Sequence, residues 1–383
     1  MSVFIPGLRL SELFYHEAVK PVINAEFPGV PHSAALIGSG SEVLGFDTEM
    51  SSDHHWGPRV MLFLREEDCA RYQDTIHEAL RHKLPHQFRG YPTNFTPPDP
   101  DDNGTQVLEA IDTGPINHGV EIFTLRGFFL DYLNFDINRD IEPADWFTFP
   151  EQKLRTITAG AVYHDGVGWQ PVRDLFAYYP YDVWLYLLAA GWTRIGQEEH
   201  LMGRAGYVGD EIGSALIGSR LVRDLMRLCF LMEKQYAPYP KWFGTAFARL
   251  ACAAELSPIL RHVLLAETLQ EREKHLCSAY EYVAEMHNAL NITQPLSAKV
   301  THFFDRPFRV IQGGDFADAI RARITDPAVK RIAAGRLIGS IDQFSDSTDM
   351  LEDTRLRPML RKLYDWAPTG EARRTSGKGR KCV

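Results

Sequence analysis

Cysteine is scarce in this chain: five residues among 383, odd in number and widely scattered (Cys69, Cys229, Cys252, Cys277 and Cys382). Such spacing excludes a disulfide framework, and three of the five lie in apolar helical contexts that suit small core residues in a reducing compartment. Long hydrophobic runs are also missing. The most apolar span, Val183 to Trp192, follows Asp182 and is too short to cross a bilayer, which argues against a membrane partner. The opening MSVFIPGLRL lacks the basic-then-apolar layout of a signal peptide, so the expected location is the cytoplasm. A basic excess is absent as well. Net charge is −9 although the last twelve residues carry five Lys/Arg and no acid, which leaves −14 on the rest. An acidic body argues against long nucleic acid as substrate, because backbone binding neutralises phosphates with Lys and Arg. A small-molecule acceptor fits better. Low-complexity runs and internal repeats are missing too.

What remains is ordinary for a soluble globular protein, 45% hydrophobic and 24% charged, and long enough for a large core and two packed domains. The stretch Leu36 to Leu64, LIGSGSEVLGFDTEMSSDHHWGPRVMLFL, is the most informative. A short apolar run ends in Gly38-Ser39, a polar spacer runs from Gly40 to Ser52, and Asp53 stands just before a second apolar run. A nucleoside triphosphate needs close backbone approach, which glycine permits, and N–H groups aimed at phosphate oxygens. It also needs carboxylates at the end of a neighbouring strand to hold magnesium over the reacting phosphorus.

This order resembles the polymerase-beta type of nucleotidyltransferase, in which an apolar residue precedes Gly-Ser and an acid–any–acid pair follows. Ile37-Gly38-Ser39 fits, and Asp53 takes the first acid position, while the second holds His55. Asp47 and Glu49 form another acid–any–acid pair nearer the Gly-Ser and stand as reserve ligands. The strings GSEVLGFDTEMSSDHHWGPRVMLFL, ADWFTFPEQKL, YYPYDVWLYLLAAGW, RDLMRLCFLMEKQYAPYPKWFGTAFARL and RPFRVI also resemble a family of unknown function grouped with those transferases. The likeness runs from the first strand to about Gln343.

Periodicity predicts a helix over Leu8–Asn24, strands over Ser33–Ile37 and Val60–Leu64, and an amphipathic helix over Glu66–Lys83 with Cys69, Tyr72, Ile76 and Leu80 on one stripe. His86–Gln106, with FTPPDPDDNG, reads as irregular: a surface insertion or an active-site lid. Val120–Leu125 reads as a strand and RGFFLDYLNF as a helical turn. From about Asp145 the pattern is almost entirely helical, through Pro180–Glu199, Val208–Gln235, Trp242–Ala253, Ser257–Leu269 and Glu271–Leu290. The tail GEARRTSGKGRKCV is basic, polar and expected to be disordered.

Each candidate carries two readings. Gly38 and Ser39, with Ser41 close by, cradle phosphate or form a plain strand-to-helix turn. Asp53 binds metal or caps a turn after Ser51-Ser52. His55 replaces the second carboxylate on a softer metal, contacts phosphate, or bonds the strand end; in strand geometry it shares a face with Asp53. Glu121, inside the apolar strand VEIFTL, completes the metal site or acts as base, or lies on a solvated sheet face. Arg220, Arg223 and Arg227 form a row that lines a triphosphate channel or pairs with acids such as Asp224. Lys241, in YAPYPKWF, reaches phosphate or packs on aromatic rings. The aromatic run FAYYPYDVWLYLL reads as core.

The expected fold is α+β: an N-terminal helix (1–24), a small mixed-sheet nucleotidyltransferase-like domain (25–145), a helical acceptor-binding domain (146–345) and a C-terminal segment (346–383). The resemblance implies transfer of a nucleoside monophosphate from an NTP, with ATP as the first choice, to a small acceptor. Magnesium or manganese would be held by Asp53, Glu121 and His55, and the triphosphate by Gly38, Ser39, Ser41, Lys241 and Arg223. A degenerate, non-catalytic nucleotide-binding protein of the same fold is the alternative. A manganese phosphoesterase, suggested by Asp53-His54-His55 alone, is a minor one.

Overall fold

The structure, a computed structural model, describes residues 4–51, 55–102 and 104–365. The chain is α+β, with a small mixed sheet in its first half and a helical C-terminal region. It divides into two compact units, one of Met1–Asp140, Phe149–Tyr179 and Lys234–Arg249, the other of Ile141–Thr148, Pro180–Glu233 and Leu250–Val383.

The first unit is built on a sheet of four strands: β1 (His32–Leu36), β2 (Arg59–Leu64), β3 (Gly119–Thr124) and β4 (Ala161–Asp165), in the order β3-β2-β1-β4. β1 runs antiparallel to β2 and β4, while β2 and β3 are parallel, with Met61 beside Glu121. Side chains alternate along each strand. Val60, Leu62 and Leu64 join Ala34 and Val120 on one face, where Leu10, Phe14, Tyr15, Ile76 and Leu80 cover them. Phe63 and Phe123 take the opposite face, with Phe63 stacked on Trp169 at 4.8 Å and edge-on to Phe128.

The helix Glu66–Lys83 has the bounds its periodicity predicts. Glu66, Glu67 and Asp68 occupy its first turn and Arg81, His82 and Lys83 its last, each complementing the helix dipole. The N-terminal helical run extends from Gly7 to Glu26 but changes to π-helix over Tyr15–Val19, just before Pro21, which has no N–H for the preceding turn.

Two expectations are corrected. β4 lies in the part of the sequence read as almost entirely helical, as does the short ladder Thr301–His302 with Arg309–Val310. β4 is recruited by pairing with β1. Its approach depends on Gly160, where a Cβ would lie 2.2 Å from the Leu36 carbonyl oxygen. The Pro/Asp-rich segment is likewise not wholly irregular. Gln87–Phe88 pairs with Tyr91–Pro92, Asn94–Phe95 with Leu108–Glu109, and Asp99 bridges Thr105.

In the second unit the long helices Tyr181–Tyr207 and Glu211–Met232 pack on each other, with Ala253–Leu265 and Leu269–Ala289 alongside. Gly313–Arg321 crosses Tyr181–Tyr207 so closely that a Cβ at Gly196 would lie 2.8 Å from the Gly314 nitrogen. Among the described residues no helix is long and apolar enough to cross a membrane. The basic tail lies outside the described residues.

Candidate functional site

One end of the four-stranded sheet collects the singled-out residues of the first unit. Because β1 and β2 are antiparallel and β2 and β3 parallel, the C-terminal end of β1 meets the N-terminal ends of the other two. Gly38 and Ser39 follow β1 directly, His55 leads into β2, and Glu121 is the third residue of β3.

The Gly-Ser turn is shaped by backbone angles that disfavour other residues: φ is +82° at Gly38 and +149° at Gly40. Gly38 donates its N–H to the Thr156 carbonyl at 3.3 Å. Ser41 accepts the Phe46 N–H with its carbonyl at 3.0 Å, which closes the following loop. Among the described residues, the N–H groups of Ser39, Gly40 and Ser41 have no hydrogen-bond acceptor. Ser39 is exposed and its two successors are half-buried, with the Glu42 carboxylate packed against Gly40, where a Cβ would lie 2.6 Å from one of its oxygens. Consecutive open N–H groups beside residues of positive φ make an anion-binding concavity.

The loop beyond is tied down by its own acids. Glu42 is buried and pairs with Arg59 at 2.5 Å. Asp47 accepts the Gly7 N–H at 2.7 Å and the Trp56 indole N–H at 3.2 Å. These two bonds give Asp47, named above as a reserve ligand, a structural use. Arg249 donates to the Gly45 carbonyl at 3.1 Å and lies 4.1 Å over the Phe46 ring, which stacks on Trp242 at 5.1 Å.

Asp53, the first choice for a metal ligand, lies outside the described residues, as does His54. His55 is not part of a strand, contrary to expectation. It is exposed, has φ +48°, and donates its N–H to the Gln106 carbonyl at 2.9 Å. Gly57, with φ +146°, and Pro58 separate it from β2. The same contact brings the Pro/Asp-rich segment to this end of the sheet. Glu121 is exposed and shares its face with Met61, Phe63 and Phe123. Among the described residues no group of three or more His, Cys, Asp and Glu side chains gathers to hold a metal, so these residues alone do not form a metal centre.

Lys241 belongs to the first unit, with its Nζ 5.1 Å from the Trp242 ring centre, the aromatic packing that was one of its two readings. Arg223 belongs to the second unit, where it pairs with Asp224 and Asp346, while Arg220 pairs with Glu198 at 3.0 Å. The row therefore pairs with acids in at least these two members.

Sequence reasoning overlooked the helix Glu151–Ala159. Its Thr156 accepts the Gly38 N–H and is hydrogen-bonded to the Tyr132 hydroxyl at 2.6 Å. Its Lys153 is buried with Nζ 4.4 Å from the Tyr132 ring centre. Its Arg155 donates to the Tyr236 carbonyl, and burial, together with the nearby charge of Arg249, pushes its guanidinium pKa down. The signal was present in PEQKLR, where two cations stand among residues with an apolar helical spacing, but no sequence rule joins them to Gly38.

Residues 146–243 are similar to a family described as a domain of unknown function (DUF4037). No curated protein and no solved structure matches the chain. The matched residues include Lys153, Arg155, Lys241 and Arg223, and begin after Gly38, Ser39, Ser41, His55 and Glu121.

Proposed function

We propose that the chain is a nucleotidyltransferase of the polymerase-beta type that moves a nucleoside monophosphate from an NTP to a small-molecule acceptor. One observation carries the reading: the mixed sheet gathers, at a single end, a Gly-Ser turn with three open N–H groups, the approach to β2 and the carboxylate of Glu121. Open N–H groups suit the β- and γ-phosphates. Lys241 and Arg249, set around the loop that follows, suit the charge that collects on the leaving pyrophosphate.

In this reading an acceptor hydroxyl oxygen attacks the α-phosphorus, and the bond from that phosphorus to the β-bridging oxygen breaks. Pyrophosphate leaves, and the hydroxyl proton passes to the Glu121 carboxylate. Positioning and charge stabilisation supply most of the rate enhancement in such a transfer. The resemblance further implies magnesium or manganese at Asp53, Glu121 and His55; none of these steps is routed through a metal. The second reading is a non-catalytic nucleotide binder of the same fold. It is favoured by His55, which stands in a turn where the resemblance expects a carboxylate.

Calorimetric titration of ATP, GTP, CTP and UTP, each with magnesium, manganese or chelator, tests both. Tight binding of one triphosphate that requires the metal, with pyrophosphate release that Glu121→Gln reduces, supports the transferase. Metal-independent binding without turnover moves the conclusion to the second reading, and no binding of any triphosphate removes both.

A further inference from the structure

Lysine is rarely buried, yet Lys153 is only 5% exposed. Its surroundings relate it to the Gly-Ser turn through Tyr132 and Thr156. Its ammonium lies over Tyr132. Tyr132 stacks on Phe128 at 5.2 Å, and a Cβ at Gly38 would lie 3.8 Å from Tyr132 and 3.9 Å from Phe128, so the same two rings support the turn. Thr156, one helical turn after Lys153 and therefore on the same helix face, receives the Gly38 N–H and bonds the Tyr132 hydroxyl. The helix, the ring and the turn thus form one assembly, and Lys153 contributes its positive charge.

We propose that Lys153 is the phosphate-binding cation of the turn Gly38–Ser41. Its ammonium takes a non-bridging oxygen of the β- or γ-phosphate of a nucleoside triphosphate, while other phosphate oxygens accept the N–H groups of Ser39, Gly40 and Ser41. The identity of the ligand rests on the nucleotidyltransferase reading above; the polyphosphate class rests on the turn and the lysine themselves. A point charge beside consecutive backbone donors is the combination a phosphate chain requires, since the N–H groups fix position and the ammonium adds a charge-assisted bond. An ammonium already set over an aromatic ring has fewer rotamers to lose when the ligand arrives, so less side-chain entropy is lost on binding.

The test is a calorimetric titration of ATP, ADP, AMP and inorganic tripolyphosphate against the full chain and two variants. Lys153→Met keeps an unbranched side chain without the charge, and Lys153→Arg keeps the charge. Thermal unfolding identifies which of the two retains the wild-type midpoint, and that variant gives the reading. Lys153→Met is expected to weaken ATP and ADP by about tenfold or more while AMP changes by less than about twofold. Lys153→Arg, which displaces the donor atoms, is expected to weaken ATP by a smaller factor in the same selective pattern. Unchanged ATP affinity, or equal loss for AMP and ATP, overturns the assignment and leaves Lys153 a packing residue. If wild type binds tripolyphosphate but no nucleotide, the transferase reading fails alone. If it binds neither, both fail.

Discussion

The buried charges of the second unit and the turn after β1 in the first unit form a contrast. In the second unit, buried charges close on partners within the unit. Asp145 is held by Arg357 at 2.7 Å and by Arg361; Arg272 reaches Glu211, Ser214 and the Ala266 carbonyl; Glu199 accepts the N–H groups of Ile311, Gln312 and Gly313. In the first unit, five described residues between Gly38 and Gly57 have positive φ (Gly38, Gly40, Gly45, His55 and Gly57), and three N–H groups beside them stay open. Closed sets of charges stabilise a helical assembly. Donors left open beside glycine turns are the groups that the proposed phosphate ligand would engage.

The comparison breaks most visibly at Asp145. Asp145→Ala leaves the guanidinium of Arg357, itself buried, without its carboxylate, and is expected to cost about 4 kcal/mol by urea unfolding. A loss below about 1 kcal/mol would mean that this closed set is not what holds the second unit. Next in size is Gly160→Ala. Its Cβ would meet the backbone oxygen of Leu36 rather than a flexible side chain, so β4 must shift, at about 3 kcal/mol. Wild-type stability in that variant would show that β4 is dispensable to the sheet.

Acid sharpens the comparison because both units bury histidines, His32 and His118 in the first and His287 in the second. Burial holds His118 in the first unit and His287 in the second down at about 4. His118 accepts the Val120 N–H on Nδ1 and therefore donates from Nε2 to the His77 carbonyl. Both favour the neutral ring when folded. Above pH 6.5 this stabilisation is fully present; as pH falls from there towards 4 the unfolded chain binds protons that the folded chain refuses, and stability is lost. Each histidine is expected to account for about 2 kcal/mol of the loss between pH 7 and pH 5. His118→Gln and His287→Gln should each flatten the stability-versus-pH curve by that amount. An unchanged slope in either would show that its ring is open to protons in the folded state.

How much of this is legible in the sequence follows the range of the forces involved. Glu66–Lys83 is legible to both ends, because acids, a stripe and bases all lie within the helix itself. β1, β2 and β3 come out within about a residue of their apolar runs, since burial on a sheet selects those residues. β4 does not, because AVYHD becomes a strand only by pairing with a segment more than a hundred residues earlier. The turn at Gly38 is legible because its positive φ calls for glycine. Lys153 is hidden, because only folding sets Tyr132 between it and Gly38. His55 would share a face with Asp53 only in strand geometry, and it stands before Gly57 and Pro58, which turn the chain ahead of β2.

The smallest effect is expected at Arg220. It looks in the sequence like the first member of a phosphate-binding row, yet it is about half exposed and bonded to Glu198 at 3.0 Å. An exposed pair gains little, since water already solvates both charges and two long side chains must be ordered. Arg220→Ala is therefore expected to change unfolding free energy by less than about 1 kcal/mol. If polyphosphate recognition resides in the Gly-Ser turn of the first unit, the same variant leaves tripolyphosphate and ATP titrations unchanged, whereas Lys153→Met does not. The reverse outcome, with Arg220→Ala weakening ATP and Lys153→Met silent, would move the anion site to the second unit and undo the contrast between closed and open polar groups.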